Sequence, residues 1–170
     1  MCGRYQFYDN KNPVIFNIIE KAKEKYETLE IPLGEVFPGN LGIVLVRGKE
    51  EMEPKIMCWG FPNPKHHGII INARYEGIRD YFFREDYQKR RCVVPVSGFY
   101  EWDADKKKHY ISSDTEKPLY LAAVYRNVND TDYYCILTKE ASERLKTIHH
   151  RQPILLDEAQ AKRYLSINAN

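Results

Sequence analysis

The sequence contains no long apolar run, and no stretch approaches the roughly 20 residues that a membrane-spanning helix requires. Its hydrophobic fraction of 43% and charged fraction of 29% are typical of a soluble globular protein. A chain of 170 residues is long enough for one domain with a buried core and too short for two. We therefore expect a single domain over residues 1–170, acting as a monomer and without a membrane partner.

Targeting and metal-binding motifs are also missing. The first residues, Met1 to Gln6, have no basic stretch followed by an apolar one, so we expect no secretory signal and a cytoplasmic protein, associated with the nucleoid if bacterial. The four cysteines form no Cys-x-x-Cys pair, and no histidine lies near them at structural-zinc spacing. We predict free thiols, no metal and no cofactor.

The net charge of +2 is too small to indicate a nucleic-acid-binding protein by itself. The 13 tyrosines and the aromatic fraction of 13% can nevertheless supply surfaces on which bases stack. Composition alone therefore permits DNA or RNA as a partner without indicating either.

The patterns that are present predict an α+β domain. Asn12 and Pro13 have the form of a helix N-cap followed by proline at the first helical position. Residues 77–90 have a spacing of apolar residues that indicates a second helix, and two short helices are expected near 141–147 and 158–166. Strands are predicted at 3–8, 43–47, 54–59, 69–73, 92–102, 119–125 and 133–138. We expect a mainly antiparallel, barrel-like sheet with flanking helices.

Cys2 is the residue with the most unusual chemistry. We expect Met1 to be removed, because the residue that follows it is small, and Cys2 then carries an α-amine and a thiol. Their ordinary pKa values, roughly 7.7–8.0 and 8.5, leave a useful fraction of each nucleophilic near neutral pH. An aldehyde would form a Schiff base with the amine, and the thiol would close a five-membered thiazolidine ring. The alternative is a frayed terminus where cysteine has no function.

Three further positions combine polar groups with the ends of apolar segments. Asn72, Arg74 and Glu76 follow an apolar run, where a guanidinium suits phosphate binding, although Arg74 and Glu76 could be a surface ion pair. Glu101 stands between two large aromatics, where a carboxyl group can act as an acid or base, or can simply face solvent. His149 precedes Arg151 in a loop, where paired histidines often have no catalytic role.

Five motifs together resemble the SRAP (SOS response-associated peptidase) family, and they occur in the family's order across nearly the whole chain. They are Met1-Cys2-Gly3-Arg4-Tyr5, Trp59-Gly60, Asn72-Ala73-Arg74-x-Glu76, Cys92-x-x-Pro95-x-x-Gly98-Phe99-Tyr100-Glu101-Trp102 and His149-x-Arg151-x-Pro153.

The resemblance implies a sensor and shield for abasic sites in single-stranded DNA that crosslinks itself to the lesion through Cys2. Under it, Glu101 and His149 assist opening of the sugar ring and proton transfer, and Asn72 positions the sugar or the Cys2 amine. Phosphates of the flanking DNA are assigned to Arg4, Arg74 and Arg151. It also implies removal of Met1 by the protein itself and a secondary abasic-site lyase activity.

Trp59 and Pro38 are assigned by the same resemblance to stacking on bases beside the lesion, although a tryptophan often serves core packing instead. Gln152 departs from the family pattern, which usually has methionine there, and the chain is short for the family. Two other functions use the same residues. One is an N-terminal-nucleophile amidohydrolase that attacks through Cys2, and the other is a non-covalent single-stranded nucleic-acid-binding module.

Overall fold

The computed structural model describes residues 2–8, 10–27, 30, 33–113 and 115–166. The helices are α1 (Pro13–Lys25), α2 (Arg84–Lys89), α3 (Glu143–Lys146) and α4 (Glu158–Ser166), and a short 3-10 helix spans Tyr75–Gly77. The strands are β1 (Tyr5–Gln6), β2 (Glu35–Val36), β3 (Leu41–Arg47), β4 (Met52–Trp59), β5 (Phe61–Pro62), β6 (Ile69–Ile70), β7 (Asn72–Arg74), β8 (Arg91–Val96), β9 (Gly98–Trp102), β10 (Lys108–Ser112), β11 (Leu119–Val128), β12 (Thr131–Glu140), β13 (Arg151–Pro153) and β14 (Leu155–Leu156).

Five strands close into a barrel. Strand β3 pairs with β4 and β8, β8 pairs with β11, β11 pairs with β12, and β12 returns to β4. Each of these pairs is antiparallel except β12 with β4. The strands carry runs buried on both faces, such as Cys92–Val96, because side chains fill the barrel and other elements cover its outside. The predicted α+β, barrel-like fold is confirmed.

A second sheet, in the order β10-β9-β1-β2, holds the N-terminal segment in the fold. Tyr5 lies opposite Val36 on one side and opposite Phe99 on the other, so β1 is an inner strand although its ladder is short. The chain passes from the barrel to this sheet at Ser97, whose N–H donates to the carbonyl oxygens of Gln6 and Phe7. The predicted strand over 92–102 is therefore two strands in different sheets.

Helix α1 begins where the sequence indicates. The Asn12 side chain accepts hydrogen bonds from the N–H groups of Val14 and Ile15, and Pro13 occupies the first turn, where its missing N–H costs nothing. The buried residues of the helix recur at helical spacing: Ile15, Ile18, Ile19 and Ala22. The predicted first helix is confirmed.

The predicted helix over 77–90 is wrong in its first half. Turns occupy the residues between Gly77 and Arg84, and only α2 is a regular helix. Phe82 and Phe83 are consecutive, yet both are partly buried and their rings meet edge to face at 4.7 Å. Both rings pack against a buried cluster that includes Ile78 and Tyr87, so tertiary packing overrides the apolar spacing in this segment. Tyr81, which helical spacing would bury, is 99% exposed.

The apolar core lies in two layers. One layer fills the barrel and continues under α1 and α4, and it includes Cys2 and Trp59. The other lies between the outer side of the barrel and the segment from Ile78 to Tyr87. Among the residues that the structure describes, no helix has the length and apolar character needed to cross a membrane. The first layer matters for function because it fixes the position of Cys2.

Candidate active site and nucleic-acid interface

Cys2 is held inside the fold. Its side chain is fully buried, and its carbonyl oxygen accepts a 2.8 Å hydrogen bond from Nδ2 of Asn72. Asn72 is in turn fixed because β7 pairs with β12, where Asn72 lies opposite Ile136. Residue 2 therefore has a defined place in the core, which a frayed terminus would not have.

Glu101 lies on the inner face of β9, next to Cys2. The side chain is only 4% exposed, and strand alternation places it on the same face as Phe99, with Tyr100 and Trp102 on the other. Burial raises the pKa of the Cys2 thiol to about 12, and the negative charge of Glu101 contributes to that increase. The Cys2 thiol is therefore protonated at neutral pH, and the solvent-facing alternative for Glu101 does not hold.

Asn72 adds a hydrogen-bond acceptor to the same place. While Nδ2 donates to Cys2, the other amide atom, Oδ1, is buried and has no hydrogen-bond partner among the described residues. A buried acceptor without a partner is unfavourable by about 1–3 kcal/mol. A ligand or amine that donates an N–H or O–H to Oδ1 would remove that penalty, so this amide favours occupancy of the site.

His149 lies at the start of β13, on the far side of β12 from β7. Thr138 of β12 faces both Arg74 and Pro153, so the ends of β7 and β13 come close together. Nδ1 of His149 lies 3.0 Å from the backbone nitrogen of Arg151 and 3.2 Å from its carbonyl oxygen, so the backbone of Arg151 holds this side of the ring and Nε2 points away from it. Nε2 is then the atom through which His149 can exchange a proton with a ligand.

Arg151 is a structural residue in this geometry. Its guanidinium makes a two-point ion pair with Glu76, at 2.8 and 2.9 Å, and Nη2 also donates to the carbonyl oxygen of Thr138. The pair lowers the pKa of Glu76 to about 2. Glu76 thus pairs with Arg151, whereas the sequence suggested a surface pair with Arg74.

Arg74 borders an open groove with a volume of about 640 Å³. It is exposed, and no carboxylate in the described part of the chain forms an ion pair with it. The remaining residues of the groove are Glu76, Glu140, Lys146, His150 and Arg151. In the described part of the chain no carboxylate contacts the charge of Arg74 directly. Among the arginines predicted to bind DNA, Arg74 is therefore the best placed to bind a phosphate.

Arg4 lies on the outer face of the second sheet, two residues from Cys2. Its guanidinium is stacked over the rings of Phe37 and Trp102, at 4.1 and 5.1 Å, and Nη1 pairs with Glu35 at 3.3 Å. Phe37 is 42% exposed, and Pro38 follows it in a turn closed by a hydrogen bond from Asn40 N–H to the Phe37 carbonyl oxygen. Arg4 and Pro38 therefore flank the same part of the surface.

Trp59 does not lie on that surface, and its indole is not exposed for the predicted stacking on bases. Its side chain is fully buried, stacks on Tyr134 and contacts Tyr5, and Nε1 donates to the carbonyl oxygen of Ile71 at 3.1 Å. The indole supports the residue before Asn72 from within the core. A tryptophan at the end of a barrel strand packs inward because burying its large ring is strongly favourable.

Sequence reasoning missed Trp102 and Phe37, the partly exposed aromatics that contact Arg4. The signal was present for Trp102. Residues at i and i+2 of a strand share a face, so a buried Glu101 implies that Tyr100 and Trp102 point to the opposite side. No comparable pattern marks Phe37, whose position depends on the turn at Pro38.

Gln152 replaces the usual methionine without leaving a polar group unsatisfied. The side chain is buried, and its Oε1 accepts a 2.7 Å hydrogen bond from the N–H of Ser142, the residue before α3. This bond ties β13 to the start of the segment that leads to His149. The substitution therefore contributes to the placement of His149.

Comparison with known proteins identifies relatives along the whole chain. The model of the family described as "SOS response associated peptidase (SRAP)" matches residues 1–170. The chain is 27% identical to the abasic site processing protein YoqW of Bacillus subtilis, covering 98% of this chain and 80% of that protein. It is 24% identical to the abasic site processing protein YedK of Escherichia coli, covering 97% and 79%.

Among solved structures, a protein of Bacteroides thetaiotaomicron has the same fold, with a TM-score of 0.79 at 20% identity, over 99% of this chain and 83% of that one. This chain belongs to the SOS response-associated peptidase (SRAP) family.

Proposed function

We propose that this protein binds single-stranded DNA at abasic sites and links itself covalently to the lesion through Cys2, once Met1 has been removed. The observation that carries the proposal is the 2.8 Å hydrogen bond from Asn72 to the Cys2 carbonyl, beside the buried Glu101. The hydrogen bond fixes the backbone of the one residue that can present an amine and a thiol together. The names of the curated relatives support abasic-site processing as the reaction class.

The state of the thiol favours attack by the amine first. With a pKa near 12 the thiol is protonated at neutral pH, so it is a poor initial nucleophile. The Cys2 amine attacks C1′ of the open sugar aldehyde, and loss of water gives a Schiff base. The S–H group then adds across the C=N bond: sulfur bonds to C1′, and the thiol proton ends on nitrogen. The product is a thiazolidine, formed without an oxidant or reductant.

The neighbouring side chains supply the proton transfers and the contacts to the lesion. Glu101 and His149 move protons during ring opening and Schiff-base formation, through the buried carboxylate and through Nε2 of the imidazole. Asn72 accepts a hydrogen bond from the Cys2 amine or from the sugar at Oδ1.

The flanking DNA would be held on both sides of Cys2. Arg74 is the main phosphate contact, and Arg151 acts chiefly by holding Glu76 away from it. On the other side Arg4 and Pro38 contact the strand, and Trp102 replaces Trp59 as the stacking residue because it is partly exposed beside Arg4.

Two secondary reactions belong to the same proposal. The Schiff base can undergo β-elimination: a proton is lost from C2′, the C3′–O bond breaks and the 3′ phosphate leaves, which cuts the DNA strand and gives an abasic-site lyase activity. Hydrolysis of the Met1–Cys2 peptide bond by the protein itself would expose the Cys2 amine.

The test is a denaturing gel of the purified protein with single-stranded DNA that carries one abasic site. A band of protein joined to DNA is expected, and it should be absent with undamaged DNA and with Cys2→Ala. Glu101→Gln and His149→Ala should form the band more slowly, while equilibrium binding changes less. An unshifted band for wild-type protein whose Met1 is shown by mass spectrometry to be absent would overturn the proposal.

The same experiment separates the two other functions. An amidohydrolase would turn over a small amide without forming the band. A non-covalent module would bind damaged and undamaged strands equally and would leave no band after denaturation.

A further inference from the structure

The outer face of the hairpin β9–β10 carries an aromatic and cationic surface that the proposed chemistry does not use. Tyr100 and Tyr110 lie opposite each other across the two strands, with their ring centroids 5.0 Å apart. The Nζ atom of Lys108 lies 4.0 Å from the centre of the Tyr100 ring. Tyr110 is 45% exposed. We call Tyr100, Lys108 and Tyr110 the hairpin platform.

Gly98 keeps the platform in place. A Cβ atom at this position would lie 2.5 Å from the ring of Tyr110 and 2.6 Å from the carbonyl oxygen of Ile111. The Tyr110 ring therefore packs closely against the backbone of β9 at Gly98, while 45% of the residue stays exposed. A ring fixed in this way loses little conformational freedom when it stacks on a ligand.

Positive charge surrounds the platform. Lys106 and Lys107, in the turn between β9 and β10, are exposed next to Lys108. Asp103 cannot neutralise them fully, because its carboxylate is used within the turn: it accepts hydrogen bonds from the N–H groups of Asp105 and Lys107 and pairs with His109 at 2.6 Å. Lys106 and Lys107 are thus exposed cations in a turn that also carries the exposed Asp105, whereas Lys108 is paired with Glu35 at 2.8 Å.

We propose that the hairpin platform binds the single strand that flanks the lesion, by stacking bases on Tyr110 and holding phosphates with Lys106 and Lys107. This inference rests on the proposed function and extends its DNA contacts to residues outside the site described above. Aromatic side chains beside a basic track are the arrangement by which single strands are bound without sequence preference.

The position of the platform supports this choice of ligand. Lys108 lies directly opposite Trp102, and Trp102 contacts Arg4, so the surface is continuous from Arg4 to Tyr110. Two residues along a strand and one strand across correspond to about 7 Å and about 5 Å. Bases stacked at about 3.4 Å intervals would therefore extend the contact by about two nucleotides beyond Trp102.

The experiment measures equilibrium affinity for single strands that contain a tetrahydrofuran abasic analogue, which lacks the aldehyde and cannot crosslink. Two series of oligonucleotides lengthen the flank on the 5′ side or on the 3′ side, one nucleotide at a time. For one series, wild-type affinity should rise by about 5- to 20-fold over the two or three added nucleotides that reach the platform, as stacking of one base predicts. The series in which affinity rises shows whether the platform lies on the 5′ side or on the 3′ side of the lesion.

Tyr110→Ala should abolish that increase and leave affinity for the short oligonucleotides unchanged. Tyr110→Leu keeps apolar bulk over Gly98 but has no π face, so it should behave like Tyr110→Ala, whereas Tyr110→Phe should behave like wild type. Tyr81→Ala, at a tyrosine that is 99% exposed and distant in sequence from the hairpin, is the matched control and should have no effect.

The lysines have their own readout. Replacing Lys106 and Lys107 together by alanine should lower the slope of log affinity against log salt by about 1.4, or about 0.7 for each phosphate that is no longer neutralised. Lys49→Ala, in the turn between β3 and β4, should leave the slope unchanged.

The proposal is overturned if Tyr110→Ala weakens short and long oligonucleotides equally, or if wild-type affinity does not depend on flank length in either series. Crosslinking of an aldehyde-bearing oligonucleotide too short to reach the platform tests the proposed function separately. A protein that crosslinks the short DNA but shows no flank dependence retains the proposed function and lacks the platform contact.

Discussion

At the scale of single residues, the charge of Glu101 should control the acidity of Cys2. Glu101→Gln removes a negative charge beside the thiol, so the pKa of Cys2 should fall and more thiolate should be present at a given pH. The titration midpoint of the Cys2 thiol, followed by the chemical shift of its Cβ carbon as the pH is raised, should then lie lower in Glu101→Gln than in wild type. The midpoint of the partly exposed Cys58 serves as an internal reference. An unchanged Cys2 midpoint would contradict the assigned interaction.

The two tryptophans should separate stability from binding. Trp59→Phe loses the indole hydrogen bond to Ile71 and leaves space in the core, so it should lower the free energy of unfolding by about 1–3 kcal/mol, although the Ile71 carbonyl keeps its hydrogen bond from the N–H of Ile136. Affinity for single-stranded DNA should stay within about twofold. Trp102→Ala should show the opposite pattern, with a loss of affinity larger than its effect on unfolding. Urea denaturation and anisotropy titration on both variants measure the difference, and weaker DNA binding by Trp59→Phe would restore the stacking role to Trp59.

At the scale of secondary-structure elements, Arg151 joins β13 to the 3-10 helix and to β12. Arg151→Ala removes the pair with Glu76 and the hydrogen bonds to Thr138, whereas Glu76→Gln removes only the charge of the pair. Urea denaturation near pH 7 should show a loss of about 1–3 kcal/mol for Arg151→Ala and below about 1 kcal/mol for Glu76→Gln. Glu76 is largely exposed, so its charge contributes little to the free energy of unfolding.

Because the pKa of Glu76 is lowered in the folded protein, its contribution is present above the unfolded pKa and is lost as the pH falls towards about 2. The stability difference between wild type and Glu76→Gln should therefore shrink below about pH 4. A difference that grows in acid would show that the ion pair has been assigned wrongly.

The sequence predicted those elements whose local signals agree with their packing. Helix α1 has a cap, a proline and an apolar stripe that all indicate the same start, and it begins there. Between Gly77 and Arg84 the predicted helix fails because Phe83, and not Tyr81, packs with Phe82 against the core layer outside the barrel, and this tertiary packing decides the outcome. The alternation of residues along the strand did not show that Glu101 is buried, because its burial depends on which face of the strand packs against the barrel.

At the scale of the whole molecule, several buried acids have pKa values far above their ordinary range. Burial raises the pKa of Cys2 and of Tyr120 to about 12, and it also raises the pKa values of Tyr5 and Cys135. A group whose pKa is higher in the folded than in the unfolded protein stabilises the fold fully when the pH is below its unfolded pKa. This contribution is lost as the pH rises towards its pKa in the folded protein.

The free energy of unfolding should therefore fall between about pH 8 and about pH 10.5. Cys2→Ala should show a fall smaller by about 2.7 kcal/mol, because the two pH units between the ordinary thiol pKa of about 8.5 and pH 10.5, at 1.36 kcal/mol each, are removed with the thiol. Urea denaturation at the two pH values measures both. Equal losses in wild type and Cys2→Ala would mean that Cys2 is not buried as a neutral thiol.

The overall architecture was accessible from the sequence, since short strands with few helices indicate a barrel-like α+β domain. The residues of the candidate site could be predicted mainly from the sequence motifs. The sequence did not predict that Trp59 is buried or that Arg151 forms an ion pair with Glu76. Both features depend on contacts between segments that are far apart in the chain.

The central claim is that both nucleophiles of Cys2 end on the sugar carbon, and the peptide that carries the crosslink tests it most directly. The joined protein and DNA are digested with nuclease and protease, treated with iodoacetamide, and analysed by mass spectrometry. We predict a peptide that begins at Cys2, carries the deoxyribose remnant and resists alkylation at its thiol. A remnant on any other residue, or a Cys2 thiol that is alkylated while the remnant is attached, would contradict the account.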